Sequence, residues 1–89
     1  TVILEGYIKV PLEELEAIKS HLGEHIRNTL NEDGCLEFTV EQDAIDKCVF
    51  NVFEKFIDKD AFDAHQARVK DSDWGAITKN VERVYEKRG

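Results

Sequence analysis

The chain has few cysteines, fewer cations than acids and no long apolar run, and each shortage removes a class of function. Its two cysteines, Cys35 and Cys48, are too few for a disulfide framework and lack the spacing of a zinc site, so no metal is expected. If the strands that carry them flank a turn at residues 44–47, Cys35 lies near the open end of the hairpin and Cys48 near its turn. That separation is too wide for a disulfide. Both read as small, half-buried hydrophobes in a reducing cytosol. Twelve Lys and Arg stand against nineteen Asp and Glu, a net charge of −7 spread over both halves of the chain. A surface of that sign disfavours nucleic acid and anionic membranes, which need a basic face. No segment is long and apolar enough to span a bilayer. No signal-peptide pattern is visible, so a cytoplasmic location is expected.

What the chain does have is regular apolar spacing, enough for one small domain over residues 1–89. A chain of this size buries only about 60–65% of the surface its unfolded form exposes, and such domains often gain stability by oligomerising. Val2, Leu4, Gly6, Ile8 and Val10 alternate with Ile3, Glu5, Tyr7 and Lys9, which predicts a strand with its even face on the core. Pro11 is suited to the first helical position, and Glu13, Glu14 and Glu16 favour the positive end of a helix dipole. Leu12, Leu15, Ile18, Leu22, Ile26 and Leu30 form one helical stripe. Asn31-Glu32-Asp33-Gly34 stops that helix, with Gly34 available for a left-handed cap. His21 and His25, one turn apart, read as histidines on the helix surface or flank.

The central stretch, residues 34–65, organises the rest. Leu36, Phe38 and Val40 alternate along one strand; residues 44–47 make a connection of hairpin length. Cys48 to Ile57 is the strongest strand, with Phe50, Val52, Glu54 and Phe56 on one face and Val49, Asn51, Phe53, Lys55 and Ile57 on the other. A one-residue change of register would exchange the faces of Glu54 and Phe53. Asp58 can cap a helix on which Phe62, His65, Gln66 and Val69 share a side. Asp71-Ser72-Asp73 can begin a further turn carrying Trp74 and Ile77, and residues 81–86 alternate as a last strand, with Lys87 to Gly89 a polar end.

The order is β-α-β-β-α-β, an α+β, ferredoxin-like arrangement: two helices on one face of a four-stranded antiparallel sheet. The strongest strand is apolar on both faces, where a sheet with one wet face would alternate more cleanly. A homodimer closing a dimeric α/β barrel over the bare face is therefore expected.

Three segments carry a resemblance: Gly34-Cys35-Leu36-Glu37-Phe38, Phe50-Asn51-Val52-Phe53-Glu54-Lys55-Phe56 and Ala61-Phe62-Asp63-Ala64-His65. They resemble the antibiotic biosynthesis monooxygenase domain family, with its "GC" strand, its aromatic–Glu–aromatic strand and its A-x-x-x-H helix. The resemblance implies a dimeric α+β barrel and a monooxygenase that uses no cofactor, acting with O₂ on a small aromatic substrate such as a quinol or phenol. Many members follow the helix histidine with a Pro-His pair, where this chain has Arg68-Val69-Lys70-Asp71. The haem-degrading branch has an Asn on the first strand, which this chain lacks.

Such oxygenation requires an electron-rich phenol to lose a proton in a site that excludes water. His65 is the base candidate, since it titrates near working pH and falls on the apolar side of its helix; the alternative is a core-edge histidine bonded to a backbone carbonyl. Glu54, among Phe50, Val52 and Phe56, either has a raised pKa and handles a proton or pairs with a cation such as Arg83. Tyr7, Trp74 and Tyr85 are substrate-binding candidates, each also readable as plain packing. Phe38, Phe53 and Phe62 read as packing, with Phe38 or Phe53 at the dimer face. The other readings are a non-catalytic α/β-barrel domain that binds a ligand or partner, and an isomerase on the same scaffold.

Overall fold

A computed structural model describes residues 1–89. Strands β1 (Val2–Lys9), β2 (Cys35–Gln42), β3 (Val49–Phe56) and β4 (Glu82–Arg88) form one antiparallel sheet in the order β2-β3-β1-β4. Helices α1 (Leu15–Leu30), α2 (Lys59–Lys70) and the short α3 (Asp73–Ile77) pack on one face of it. The expected ferredoxin-like order is therefore present, with the second helical segment broken after Lys70. No helix is long and apolar enough to cross a membrane.

Local chemistry explains most boundaries. Pro11 keeps an extended ψ of 136° and precedes a 3-10 turn, Leu12–Glu14, instead of taking the first helical position. That turn breaks the phase of the expected stripe, and Leu12 is left 61% exposed. Within α1 the buried line runs through Leu15, Ile18, His25 and Thr29, with Leu22 and Ile26 beside it. At 3.6 residues per turn Thr29 stays on that line and Leu30 lies roughly 90° off it, so Leu30 faces outward. The surface position expected for His25 is thereby corrected: it is buried.

Gly34 does not adopt the left-handed cap, since the only glycine with positive φ is Gly89. It is needed for a different reason: a Cβ there would collide with Cβ of Ala61, where the first turn of α2 meets the turn before β2. The β2–β3 turn is held by Asp43, whose Oδ2 accepts from the amides of Ile45 and Asp46, both at 3.0 Å. A bulge between Cys35 and Glu37 turns Leu36 out of the Phe38 and Val40 face. Asp58 caps α2, its Oδ1 accepting from Ala61 N at 2.8 Å. Strand β4 runs on to Arg88, beyond the expected end, because Arg88 still pairs with Ile3 and reaches Glu5.

The register places Leu4 opposite Glu54, so the even face of β3 meets the helices. Two apolar clusters result, one around Ile8, Phe50, Val52 and Trp74, the other of Val2, Leu4, Phe56 and Phe62. Three elements pass between them through an interruption: β1 at Gly6, β3 at Glu54 and α2 at His65. Two of these interruptions are ionisable, and they mark the site.

Candidate active site

Between the clusters lies a cavity of about 260 Å³. Phe38, Val40, Val52 and Val69 supply apolar wall, while His25, Glu54, His65, Arg83 and Tyr85 supply polar groups. Gly6 permits the close approach of β4 on this side, since a Cβ there would meet the backbone of Val84.

His65 is 4% exposed, and α2 points it at the sheet. Its Nδ1 donates to Glu32 Oε2 at 2.8 Å. A carboxylate can only accept, so the bond fixes the proton on Nδ1 and leaves Nε2 with a lone pair in the neutral ring. Glu32 is held on its other side by Arg68 Nε, at 2.7 Å from Oε1. Arg68 also donates to Thr29 Oγ1 at 3.1 Å. The partner of His65 is thus a carboxylate from the turn after α1, and not a backbone carbonyl.

Glu54 is 6% exposed, and its Oε1 is buried without a hydrogen bond, 3.6 Å from His65 Nε2. The expected pairing with Arg83 is absent: Arg83 donates instead to the carbonyl and hydroxyl of Thr78. Burial first, and the Glu32 carboxylate second, push Glu54 up to about 7. Burial lowers His65 against the raising effect of its bond to Glu32, with Arg68 lowering it further. Glu54 therefore holds a proton more readily than a free carboxyl, and His65 less readily than a free imidazole, in a site with little water to screen them. Such a pair can take a proton at Nε2 and return one from the Glu54 carboxyl.

Of the other expected site residues, Trp74 and Tyr85 line the cavity. Burial and the Glu54 carboxylate push the Tyr85 hydroxyl up to about 12, so it is a neutral hydrogen-bonding group. Tyr7 is corrected: it points from the opposite face of the sheet, near Phe53, because odd residues of β1 face away from the helices. Phe38 is likewise buried beneath the helices and cannot lie on the outer face, whereas Phe53 does. Two residues of the site were not anticipated, Glu32 and His25. His65 and Arg68, one turn apart on α2, were a signal that a shared anionic partner exists. No group of three or more His, Cys, Asp and Glu side chains is arranged to hold a metal ion. His21 Nδ1 lies 2.9 Å from the Ala17 carbonyl on its own helix.

Comparison with known proteins agrees with this fold. The family model described as antibiotic biosynthesis monooxygenase matches residues 1–70. A conserved protein of unknown function from Bacteroides thetaiotaomicron superposes with a TM-score of 0.77 at 20% identity, covering 98% of this chain and 94% of that one. A Nitrosomonas europaea protein assigned as an antibiotic biosynthesis monooxygenase gives 0.78 at 18% identity, covering 99% and 94%. One from Deinococcus radiodurans, assigned likewise, gives 0.77 at 19%, covering 100% and 91%. At these identities the likeness is one of fold. No curated protein matches the chain.

Proposed function

The chain belongs to the antibiotic biosynthesis monooxygenase family, and on that premise we propose that it oxidises a small quinol or phenol with O₂ without a bound cofactor. The observation that carries the proposal is the Glu32–His65–Glu54 line ending in a largely apolar cavity. Glu32 orients the imidazole; Nε2 takes the proton of a phenolic hydroxyl; the resulting anion is electron-rich enough to reduce O₂. For a quinol, one oxygen atom enters the ring and the other leaves as water. The substrate itself supplies all four electrons, so no external reductant is required. Glu54 returns or stores the proton near neutrality, which its pKa of about 7 suits. The cavity is just below the usual range of about 300–1,000 Å³ for drug-sized ligands, which favours a small ring system.

The protein acts in this reading as a homodimer in a reducing, cytoplasmic setting. The outer sheet face supports the dimer: Tyr7, Phe53 and Val84 stand there, with Tyr7 36% and Val84 43% exposed. Covering such a patch with a second copy removes it from water. An isomerase is the second reading, favoured by the adjacent acid and base, which equally suit moving a proton within one substrate. Turnover under heavy-isotope O₂ separates the two. One labelled atom in the product and one in water supports oxygenation; a rearranged product with no label supports isomerisation.

A further inference from the structure

The cavity is lined by one permanent cation, Arg83, which the acid–base pair does not use. Helix α1 packs against β2 and α2 against β3, which leaves β4 open at the sheet edge with every residue exposed. Arg83, Tyr85 and Lys87 pair with Ile8, Gly6 and Leu4, so they stand on the face of β4 that looks toward the helices. The cavity therefore opens between β4 and α2, with Arg83 and Tyr85 on one lip and the exposed Gln66 on the other. Lys87 lies further along the same strand face, its Nζ 5.1 Å from the centre of the Phe62 ring.

Acids outnumber Lys and Arg by nineteen to twelve in this chain, yet Arg83 forms no ion pair with any of them. Among the residues lining the cavity Glu54 is the one acid, and it is buried. The guanidinium is nevertheless held in place. Its Nη1 donates to the Thr78 carbonyl at 3.3 Å and its Nη2 to Thr78 Oγ1 at 2.9 Å. Thr78 is fully buried and donates in turn to the Trp74 carbonyl at 2.6 Å, so Arg83 is tied to the helix that brings Trp74 to the same cavity. Capping the end of α3 accounts for those two bonds. It leaves the rest of the donor fork unengaged, and such a fork matches a carboxylate with two parallel hydrogen bonds. A side chain already ordered by Thr78 loses less freedom when a ligand binds. The net charge of −7 repels anions at a distance, so an anion taken here is selected by local contact.

We propose that Arg83 is a carboxylate anchor at the mouth of the cavity, and that the substrates are hydroxylated aromatic acids. The ring fills the cavity, a phenolic hydroxyl points to His65, and the carboxylate meets Arg83. Thr78 is then a positioning residue for the guanidinium. The proposal rests on the cavity being the substrate site, but not on any reaction with O₂.

Calorimetric titration without oxygen, at about pH 6, compares hydroquinone carboxylate with its methyl ester. At that pH the ligand carboxyl is ionised, while Glu54, raised to about 7, is largely neutral and does not repel it. The wild-type chain should bind the acid about tenfold more tightly than the ester, the worth of one charge-assisted hydrogen bond, and added salt should narrow the gap. Arg83→Gln should bind both ligands with ester-like affinity. Arg83→Lys, which keeps the charge and loses the fork, should retain part of the preference. Wild type binding the ester as tightly as the acid would overturn the proposal, and so would a preference that survives in Arg83→Gln. Loss of ester binding in both variants would make Arg83 a structural cap of α3 and overturn it as well. A preference for the acid in a chain that never consumes O₂ would support the anchor and refute only the oxygenase reading.

Discussion

Replacing Glu54 with glutamine should change the pH dependence of stability more than the fold. Burial and Glu32 raise Glu54 from 4.5 to about 7 in the folded chain. Between those two values the folded chain holds a proton that the unfolded chain has released, so stability falls as pH rises. At about 1.4 kcal/mol for each unit, the ionised carboxylate costs roughly 3 kcal/mol once pH exceeds the folded value. Glutamine is neutral throughout and resembles the protonated acid. The two proteins should therefore have similar stability near pH 4.5 and below, and the variant should lead by about 3 kcal/mol by about pH 8. His25 and His65 act in the opposite sense, since their lowered pKa values make stability fall as pH drops below 6.5. They are present in both proteins and largely cancel from the difference. Urea denaturation followed by Trp74 fluorescence, at one protein concentration and a series of pH values, measures that difference. A flat difference across this range would refute the reasoning, because it would mean that the carboxylate is hydrated or paired.

Glu32→Ala removes the acceptor shared by His65 and Arg68. It should cost about 1–3 kcal/mol in urea denaturation and lower kcat more than it raises KM, because the imidazole loses its fixed tautomer. Gly34→Ala should destabilise by about 1–3 kcal/mol through overpacking. Adding Ala61→Gly, which removes the opposing Cβ, should recover part of that loss in thermal melts of the four-protein cycle. Sedimentation at micromolar concentration should give twice the chain mass, and Phe53→Lys should give the monomer; a monomeric wild-type chain would refute the dimer.

The legibility of this site divides along physical lines. Period-two alternation put Glu54 among Phe50, Val52 and Phe56, and helical spacing put His65 on the inner side of α2, so both were readable from local pattern. Which face of β3 meets the helices was not, because it depends on the pairing of Leu4 with Glu54 across the sheet. Tyr7 was misplaced for a related reason: an aromatic residue on an alternating strand signals a surface to be covered without saying by what. Glu32 was hidden because an acid in a helix-stopping turn looks like solvated charge. Its role appears only when α2 brings His65 against it from 33 residues away. His25 lay three residues from Leu22 and four from Thr29 in the stripe, so its burial was readable from spacing. The missing partner of its Nδ1 was not, since an absent hydrogen bond has no sequence signature. The β2 bulge shifts phase by one residue and the 3-10 turn after Pro11 interrupts the helical period, neither of which periodicity alone can detect.

The central claim is that His65 starts an oxidation for which the substrate supplies the electrons. Its most direct test is oxygen consumption by chelator-treated protein over a panel of hydroquinones and polycyclic phenols, beside a His65→Ala variant checked for fold by circular dichroism. Uptake with at least one substrate, reduced by about 10²–10⁴-fold in the variant, is the predicted result for loss of a general base. No uptake with any phenol, or an undiminished rate in His65→Ala, would contradict it.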